Sequence, residues 1–303
     1  MSHRPDHDEG VPMPERIFVQ IPAYCDRELL PTVADLLRTA RHPERLTVCI
    51  AWQYGDDELD LERALRHLGP VDLLKIPAAE SRGCNWARQQ LQQCWAGEQY
   101  TLLLDSHHRF VAGWDEALVR LHRQLRESGV EKPVLTGYLP PYDPVRDPQG
   151  RVHAVYRMAL AERRRGLMFR LTGHPVPDRR RLRAPTPACF ASLHLLFAEG
   201  DFNAAVPFDP DIYFFADEIA IALRAFTLGY DLFHPHVVLG WHLYDRRTRR
   251  PHWADHPRWR EQQERSLARL ESLYAGSERG LYGVGSERTV ADYESLTGAA
   301  LRT

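Results

Sequence analysis

The chain predicts an α/β protein with a mixed, mostly parallel sheet flanked by helices. Short apolar runs alternate with segments of helical period through its first half. Four such strand–helix units fit into about 115 residues, the spacing of parallel strands joined by crossover helices. The 303 residues, 44% hydrophobic and 26% charged, have the composition of a globular protein long enough to fold around its own core.

The elements follow in order. RIFVQIPAY is a first strand, ending at Pro22-Ala23-Tyr24. ELLPTVADLLRTARH places Leu29, Val33, Leu36, Leu37 and Ala40 at helical spacing. LTVCIAW is a second strand, and DDELDLERALRHL a helix with acids in its first turn, where the helix dipole favours them. VDLLKIP is a third strand; NWARQQLQQCWAG is a helix capped by Asn85 and stopped by Gly97. YTLLLD is a fourth strand, followed by the helix WDEALVRLHRQLRESG. Beyond it, KPVLTGYLPPYDP is a strand running into a turn, and residues 144–186, rich in Arg, Pro and Gly, are expected as a long loop region. PACFASLHLLFAEGDF is expected as one long strand or a bent pair. DEIAIALRAFTLG is a helix, YDLFHPHVVLGWHLYDR two short strands around Pro235, and HPRWREQQERSLARLESLYAG a helix. Residues 1–14 are expected as a flexible leader.

The formal net charge is −2, so the whole molecule is not built as a polyanion binder, and no nucleic-acid partner is implied. Charge is nevertheless uneven. Nine arginines lie between Arg157 and Arg183, opposed by Glu162 and Asp178, and a second cluster is Arg246-Arg247-Thr248-Arg249-Arg250. The five cysteines form no CxxC pair, which fits reduced thiols in a cytoplasm. No secretory signal or membrane span is visible. GxGxxG, GxxxxGK[ST], HExxH and GxSxG are missing, against simple dinucleotide, P-loop, zincin and α/β-hydrolase readings.

In parallel sheets, functional groups collect beyond the carboxyl ends of strands. TLLLDSHHRF puts an acid and two histidines at such an end. Residues i and i+2 of a strand point to one side, so Asp105 and His107 reach one ion, with Ser106 turned away. A carboxylate with an imidazole suits a divalent ion such as Mn²⁺ (or Mg²⁺), which would neutralise a departing diphosphate. The alternative is that Asp105 caps the turn and His107 packs in the interior.

The stretch DSHHRFVAGWDEAL resembles the polypeptide (hydroxyproline) α-N-acetylglucosaminyltransferase family, whose members look like DSH-x-RF-x-x-x-WD-x-x-L. It is more distantly similar to the polypeptide GalNAc-transferases. Asp105, His107, Arg109, Phe110, Trp114 and Asp115 carry the match. It extends upstream to AYCDRELLPTVADLLRTARHPERLTVCIAWQ and downstream to VPFDPDIYFFADEIAIALRAFTLGYDLFHP and WHLYDRR, about residues 16–300 in all. One departure is Ala216-Asp217-Glu218 in place of Gly-Glu-Glu.

The resemblance implies a Rossmann-like GT-A glycosyltransferase fold. It would be a single domain over 15–303, with a nucleotide-binding half (15–130) and an acceptor-side half (131–303) holding the variable region 144–186. It implies a UDP-GlcNAc donor, a protein, peptide or small-molecule hydroxyl acceptor, and retention of anomeric configuration. His242 is then a third metal ligand with Asp105 and His107. Asp217 and Glu218 are the catalytic candidates, hydrogen-bonding the sugar or orienting the acceptor hydroxyl; as acids at a helix start they also suit the dipole, and Arg224, on the same face, is placed to pair with them. Pro22, Ala23, Tyr24 and Asp26 hold uracil and ribose, or form an ordinary turn. Gln53 touches the base. Arg82 or Arg88 meets a phosphate, or is a solvated surface arginine, and Gly83 lets backbone approach a ligand. Asp105 and Ser106 border the nucleotide, and Arg246 closes over the diphosphate. Phe110 and Trp114 belong to the core. The arginines of 157–183 are a solvated face or an acceptor-docking surface. Another nucleotide sugar, a small-molecule acceptor, a silent sugar-nucleotide-binding protein and a metal-dependent hydrolase remain alternatives.

Overall fold

Strand β1 (Ile17–Tyr24) is buried on both sides by its alternation. Ile17, Val19, Ile21 and Ala23 face one apolar core, and Phe18 faces another with Ala87 and Leu91. Its polar interior residue, Gln20, donates from Nε2 to Thr101 Oγ1 (2.7 Å) and Asn203 Oδ1 (2.9 Å). A central strand of a covered parallel sheet needs this two-sided burial. The computed structural model describes residues 15–301 apart from Leu59, Arg165 and Gly166; the leader expected at 1–14 lies outside the described residues.

The first half continues with α1 (Leu29–Thr39), β2 (Leu46–Tyr54), α2 (Leu61–His67), β3 (Val71–Pro77), α3 (Cys84–Gln92), β4 (Tyr100–Leu104), β5 (His108–Phe110) and α4 (Trp114–Glu127). The second half holds β6 (Pro133–Thr136), β7 (Tyr156–Arg164), β8 (Met168–Pro175), β9 (Thr186–Pro187), β10 (Leu195–Glu199), α5 (Phe202–Ala205), α6 (Asp217–Thr227), β11 (Asp231–His234), β12 (Gly240–His242), α7 (His252–Asp255), α8 (Trp259–Tyr274) and α9 (Val290–Thr297). Strands of both halves share one eight-stranded sheet, in the order β3-β2-β1-β4-β10-β6-β11-β9. The pairs β3/β2, β2/β1, β1/β4 and β6/β11 are parallel; β10 runs antiparallel to both its neighbours, and β9 to β11.

Several expectations need correction. Residues 144–186 are not a plain loop: β7 and β8 form an antiparallel hairpin, and β9 joins the sheet edge. PACFASLHLLFAEGDF yields one short strand, β10, after a bend bridged by Ser192 and Leu195. Helix α3 is capped by Gly83, at φ +113°, and not by Asn85. Strand β5 and helices α5, α7 and α9 are too short or too polar to show a period in the sequence.

Two short antiparallel strands, β5 and β12, sit outside the main sheet and pair His108 with His242. Helix α1 holds β5 in place. Thr32 Oγ1 accepts from His108 N (2.9 Å), and Asp35 Oδ2 accepts from Phe110 N (2.7 Å). The conspicuous Trp114-Asp115 ties α4 to the end of α1: Trp114 Nε1 donates to Leu36 O (3.1 Å), and Asp115 accepts from Arg41 N and His42 N (2.7 and 2.8 Å). Phe110 and Trp114 are buried core.

Gly83 occupies backbone space that other residues reach only with strain. A Cβ there would stand 2.6 Å from the Tyr213 ring. The space a side chain would need is therefore taken by the protein's own Tyr213. Gly83→Ala is expected to destabilise the fold by about 2 kcal/mol, since overpacking adds to the positive φ, measured as a lower urea midpoint; an unchanged midpoint would show that Tyr213 moves aside freely.

Candidate functional site

β4 ends at Leu104, so Asp105-Ser106-His107 forms the link into β5 beyond the carboxyl end of the parallel strands. β12 brings His242 to this link. Its backbone is held on both sides, by His242 N donating to Pro140 O and Leu243 N donating to His107 O (each 3.0 Å). Asp105 Oδ2 lies 3.6 Å from His107 Nε2 and 3.3 Å from His242 Nε2. Asp105, His107 and His242 each offer a ligand atom, all within 4.8 Å of one another.

The sharp turn after β1, with Cys25 at φ +43°, sends Asp26 beneath this cluster. Asp26 is 2% exposed. Its Oδ2 accepts from His107 Nδ1 (2.7 Å) and from Ser106 Oγ (2.6 Å), and its Oδ1 from Glu28 N (3.0 Å). Donation from Nδ1 leaves His107 Nε2 as a lone pair, and that atom is buried with no hydrogen-bond partner. A carboxylate that orients the far nitrogen of an imidazole is the usual support of a metal ligand. The donor set thus fits a divalent ion. One expectation is revised: Asp26 is spent on His107 and does not face a ribose, while Ser106 bonds to Asp26 on the Nδ1 side of His107.

Sequence reasoning missed His194. In the β10/β4 register Leu195 lies opposite Leu104, which sets His194 beside Asp105, and its ring stacks on His242 at 4.2 Å. Leu139 N donates to its Nε2 (3.1 Å), so Nδ1 carries the proton towards Ser192 Oγ (3.0 Å). Both nitrogens are engaged, and His194 is a support for His242 and not a ligand. Burial holds His194 and His242 well below the usual imidazole range. Neutral His242 can present a lone pair to an ion.

Arg88 is no surface arginine. It is 4% exposed and reaches Asp217 Oδ2 (2.7 Å), Asn85 Oδ1 (3.1 Å) and, with its other arm, Asp105 Oδ1 at 3.8 Å. It therefore joins the metal-type cluster to the start of α6. Burial raises the Asp217 carboxyl, against the Arg88 charge. Glu218 is pushed up to about 8 by burial and the Asp217 charge, which outweigh Arg88 and the hydrogen bond from Tyr138 OH (3.4 Å). Ala216 caps α6 at φ +72°, a left-handed position that costs a non-glycine residue about 1 kcal/mol. This is where the resembling family carries Gly. Arg224 does not pair with these acids; it donates to the carbonyls of Pro207, Leu281 and Gly283.

The remaining expected residues lie around one edge of the cluster. Pro22 and Ala23 are buried backbone of β1. Gln53 is turned into the protein, donating to Ala23 O (3.1 Å) and accepting from Ser81 Oγ (2.5 Å), so its side chain is not offered to a base. Because Ser81 Oγ donates to Gln53, His252 donates from Nε2 to Ser81 (2.8 Å) and accepts Tyr213 OH at Nδ1 (2.5 Å). Tyr24 OH donates to Asp255 Oδ2 (2.9 Å). Helix α7 thus covers the end of β1. Arg82 is exposed over the Trp86 ring (5.7 Å), and Arg246 is exposed over Trp253 (4.9 Å).

A family model described as glycosyltransferase (GlcNAc) matches residues 16–67 and 57–302. No curated protein matches the chain. Among solved structures, GalNAc-T7 with UDP, GalNAc and Mn²⁺ aligns at TM-score 0.59 and 14% identity, covering 93% of this chain and 55% of that one. The chain therefore spans about half the length of that structure. TarS 1-349 of S. aureus with UDP-GlcNAc aligns at TM-score 0.56 and 10% identity over 94% of this chain and 71% of that one. The same protein with UDP gives 0.54 and 9%, over 94% and 70%. At such identities the likeness is one of fold, and the fold is GT-A.

Two outcomes follow from this geometry. Asp26→Asn keeps the shape but removes the charge behind His107, and is expected to weaken Mn²⁺ binding about 10–100-fold; unaltered affinity by calorimetry would remove Asp26 from the site's support. Glu218 has a folded-state pKa of about 8, above its ordinary value of 4.5, so its contribution to stability is full below 4.5 and is lost as pH rises through 8. Glu218→Gln, among Asp217, Arg88, Asp105, Tyr138 and Tyr244, is therefore expected to raise the urea midpoint at about pH 8.5 more than at about pH 5. An equal change at both would mean that Glu218 titrates normally.

Proposed function

The chain belongs to the glycosyltransferase (GlcNAc) family, and from that premise we propose that it moves GlcNAc from UDP-GlcNAc to a hydroxyl of a protein or peptide, with retention. It is a glycosyltransferase by family and fold; donor, acceptor and stereochemistry are this proposal's own content. The observation that carries the reading is the convergence of Asp105, His107 and His242 at the carboxyl end of the sheet, with a buried, unpartnered His107 Nε2. The hydroxyproline-directed family is favoured by the ordered motifs from DSHHRF to WHLYDRR. We place the enzyme, as one domain over 15–303, in the cytoplasm on the strength of its odd, unspaced cysteines. No described helix is long and apolar enough to cross a membrane.

Asp105, His107 and His242 would hold Mn²⁺ or Mg²⁺. When bound, such an ion supplies charge neutralisation for a departing UDP diphosphate. The chain's own groups do the rest. Asp26 keeps the His107 proton on Nδ1. Arg88 fixes Asp217 against Asp105, so that the donor's two ends meet one rigid frame. Glu218, holding its proton near neutrality, donates a hydrogen bond to a sugar or acceptor oxygen and is a poor nucleophile. This accords with a retaining reaction that rests on leaving-group neutralisation and positioning. Tyr24 and the backbone of Pro22-Ala23 border the nucleotide; Arg82 and Arg246 are the exposed arginines free to reach a diphosphate.

Calorimetric titration of UDP with and without Mn²⁺ tests the site, and UDP-GlcNAc against UDP-Gal and UDP-Glc names the donor. Mn²⁺-dependent UDP binding is expected, strongest for UDP-GlcNAc, and lost in Asp105→Ala and His107→Ala with the fold intact. Metal-independent binding, or full turnover in either variant, would falsify the metal assignment.

A further inference from the structure

The second histidine of the DSHH stretch has no part in the reading above, yet the fold sets it against a candidate ligand. Strands β5 and β12 place His108 opposite His242. Leu243 N donates to His107 O (3.0 Å) on one side of this pair, and Val111 N to Leu239 O (3.1 Å) two residues beyond it. His108 and His242 are therefore a non-hydrogen-bonded pair, the kind whose side chains stand closest. Their N–H groups turn outward, His108 N to Thr32 Oγ1 (2.9 Å) and His242 N to Pro140 O (3.0 Å). The two imidazole rings are 5.0 Å apart between centroids, a spacing across which a nitrogen of one ring can reach a nitrogen of the other.

The protons on these rings decide what they can do. His108 is fully buried. Its Nδ1 donates to Asp105 O (3.0 Å), a carbonyl that can only accept, and burial keeps the ring neutral. His108 Nε2 is therefore a lone pair. That atom is buried with no hydrogen-bond partner, and so is His242 Nδ1. His242 Nε2 faces the Asp105 carboxylate at 3.3 Å, which favours the proton on Nε2. To ligate through Nε2, neutral His242 must carry its proton on Nδ1 instead. The exchange is balanced: Nε2 gives up one proton, Nδ1 takes up one, and the ring stays uncharged. A buried Nδ1–H then needs an acceptor. His194 cannot serve, because its Nε2 accepts from Leu139 N and its Nδ1 donates to Ser192 Oγ. Tyr244 meets the His242 ring edge-on and gives its own proton to Leu139 O (2.8 Å). We propose that His108 is the positioning residue of His242, its Nε2 accepting the Nδ1 proton when His242 becomes a ligand. It would act on His242 as Asp26 acts on His107. The inference rests on the reading of Asp105, His107 and His242 as a metal site.

The test titrates Mn²⁺ into the full chain by calorimetry and compares His108→Leu with His108→Gln, urea unfolding verifying that each variant is folded. Leucine removes the acceptor, whereas glutamine keeps one on Oε1. His108→Leu is expected to weaken Mn²⁺ binding about 10–100-fold, and His108→Gln to restore most of the loss. A change of packing alone would weaken both variants alike. A second measurement needs no variant: imidazole nitrogen NMR of the unaltered chain, with the diamagnetic Mg²⁺ as probe. On adding Mg²⁺ the His242 proton is expected to move from Nε2 to Nδ1, and the His108 Nε2 resonance to shift as that of a hydrogen-bond acceptor. Equal Mn²⁺ affinity in the unaltered chain and His108→Leu, no rescue by glutamine, or a His108 Nε2 resonance that ignores bound Mg²⁺ overturns the proposal alone. Absence of Mn²⁺ binding in the unaltered chain overturns the metal reading, and this proposal with it.

Discussion

The bond from His107 Nδ1 to Asp26 is the constraint on which the site depends. Asp26 stands at the end of the first strand and His107 at the end of the fourth, 81 residues away. Their contact closes the mouth of the parallel sheet and settles which nitrogen of His107 faces outward. A buried carboxylate is costly unless its lone pairs are filled. Ser106 Oγ and Glu28 N fill the remainder, so the same three bonds that make Asp26 tolerable also hold the turn that carries the ligand residues. The left-handed Cys25 is the strain accepted for that turn.

A second layer of buried charge extends from there. Arg88 lies between Asp105 and Asp217, with 4% of its surface exposed. Burying three charges costs several kcal/mol per ion before their attraction is counted, and apolar side chains would pack there at lower cost. Their arrangement instead fixes the distance between the metal-type cluster and the helix carrying Glu218. The same desolvation lifts Glu218 to about 8, so one low-dielectric region gives neighbouring acids different protonation states. Histidines follow the same logic. His194 and His242 are stacked, buried and neutral, and each ring's proton is dictated by its bonded neighbours.

Much of the motif that stands out in the sequence is architectural. In DSHHRFVAGWDEAL, Asp105 and His107 face the site, but Phe110, Trp114 and Asp115 fasten β5 and α4 to α1. Arg109 pairs with Glu28 at 2.7 Å, next to the Asp26 turn. A ligand pair on a three-residue link has no rigidity of its own, and these fastenings supply it. The departure at Ala216 has a matching explanation: the position requires a left-handed cap, which alanine tolerates at some cost.

Sequence alone determined the alternation of β1 to α4 and the helices of Asp217–Thr227 and Trp259–Tyr274, because periodicity of apolar residues is a local property. It also determined the candidate ligands Asp105 and His107, two residues apart at a strand end. The short β5 and α7, and the hairpin within 144–186, carry too few residues for a period to register. Only the tertiary structure decided how Asp26, Gln53 and Arg88 are used, since the hydrogen bonds that turn them inward come from residues 28 to 129 positions away. His194 belongs to the same class. It follows from β10 entering the sheet antiparallel between β4 and β6, and strand order is set by which apolar faces bury one another, not by any local pattern.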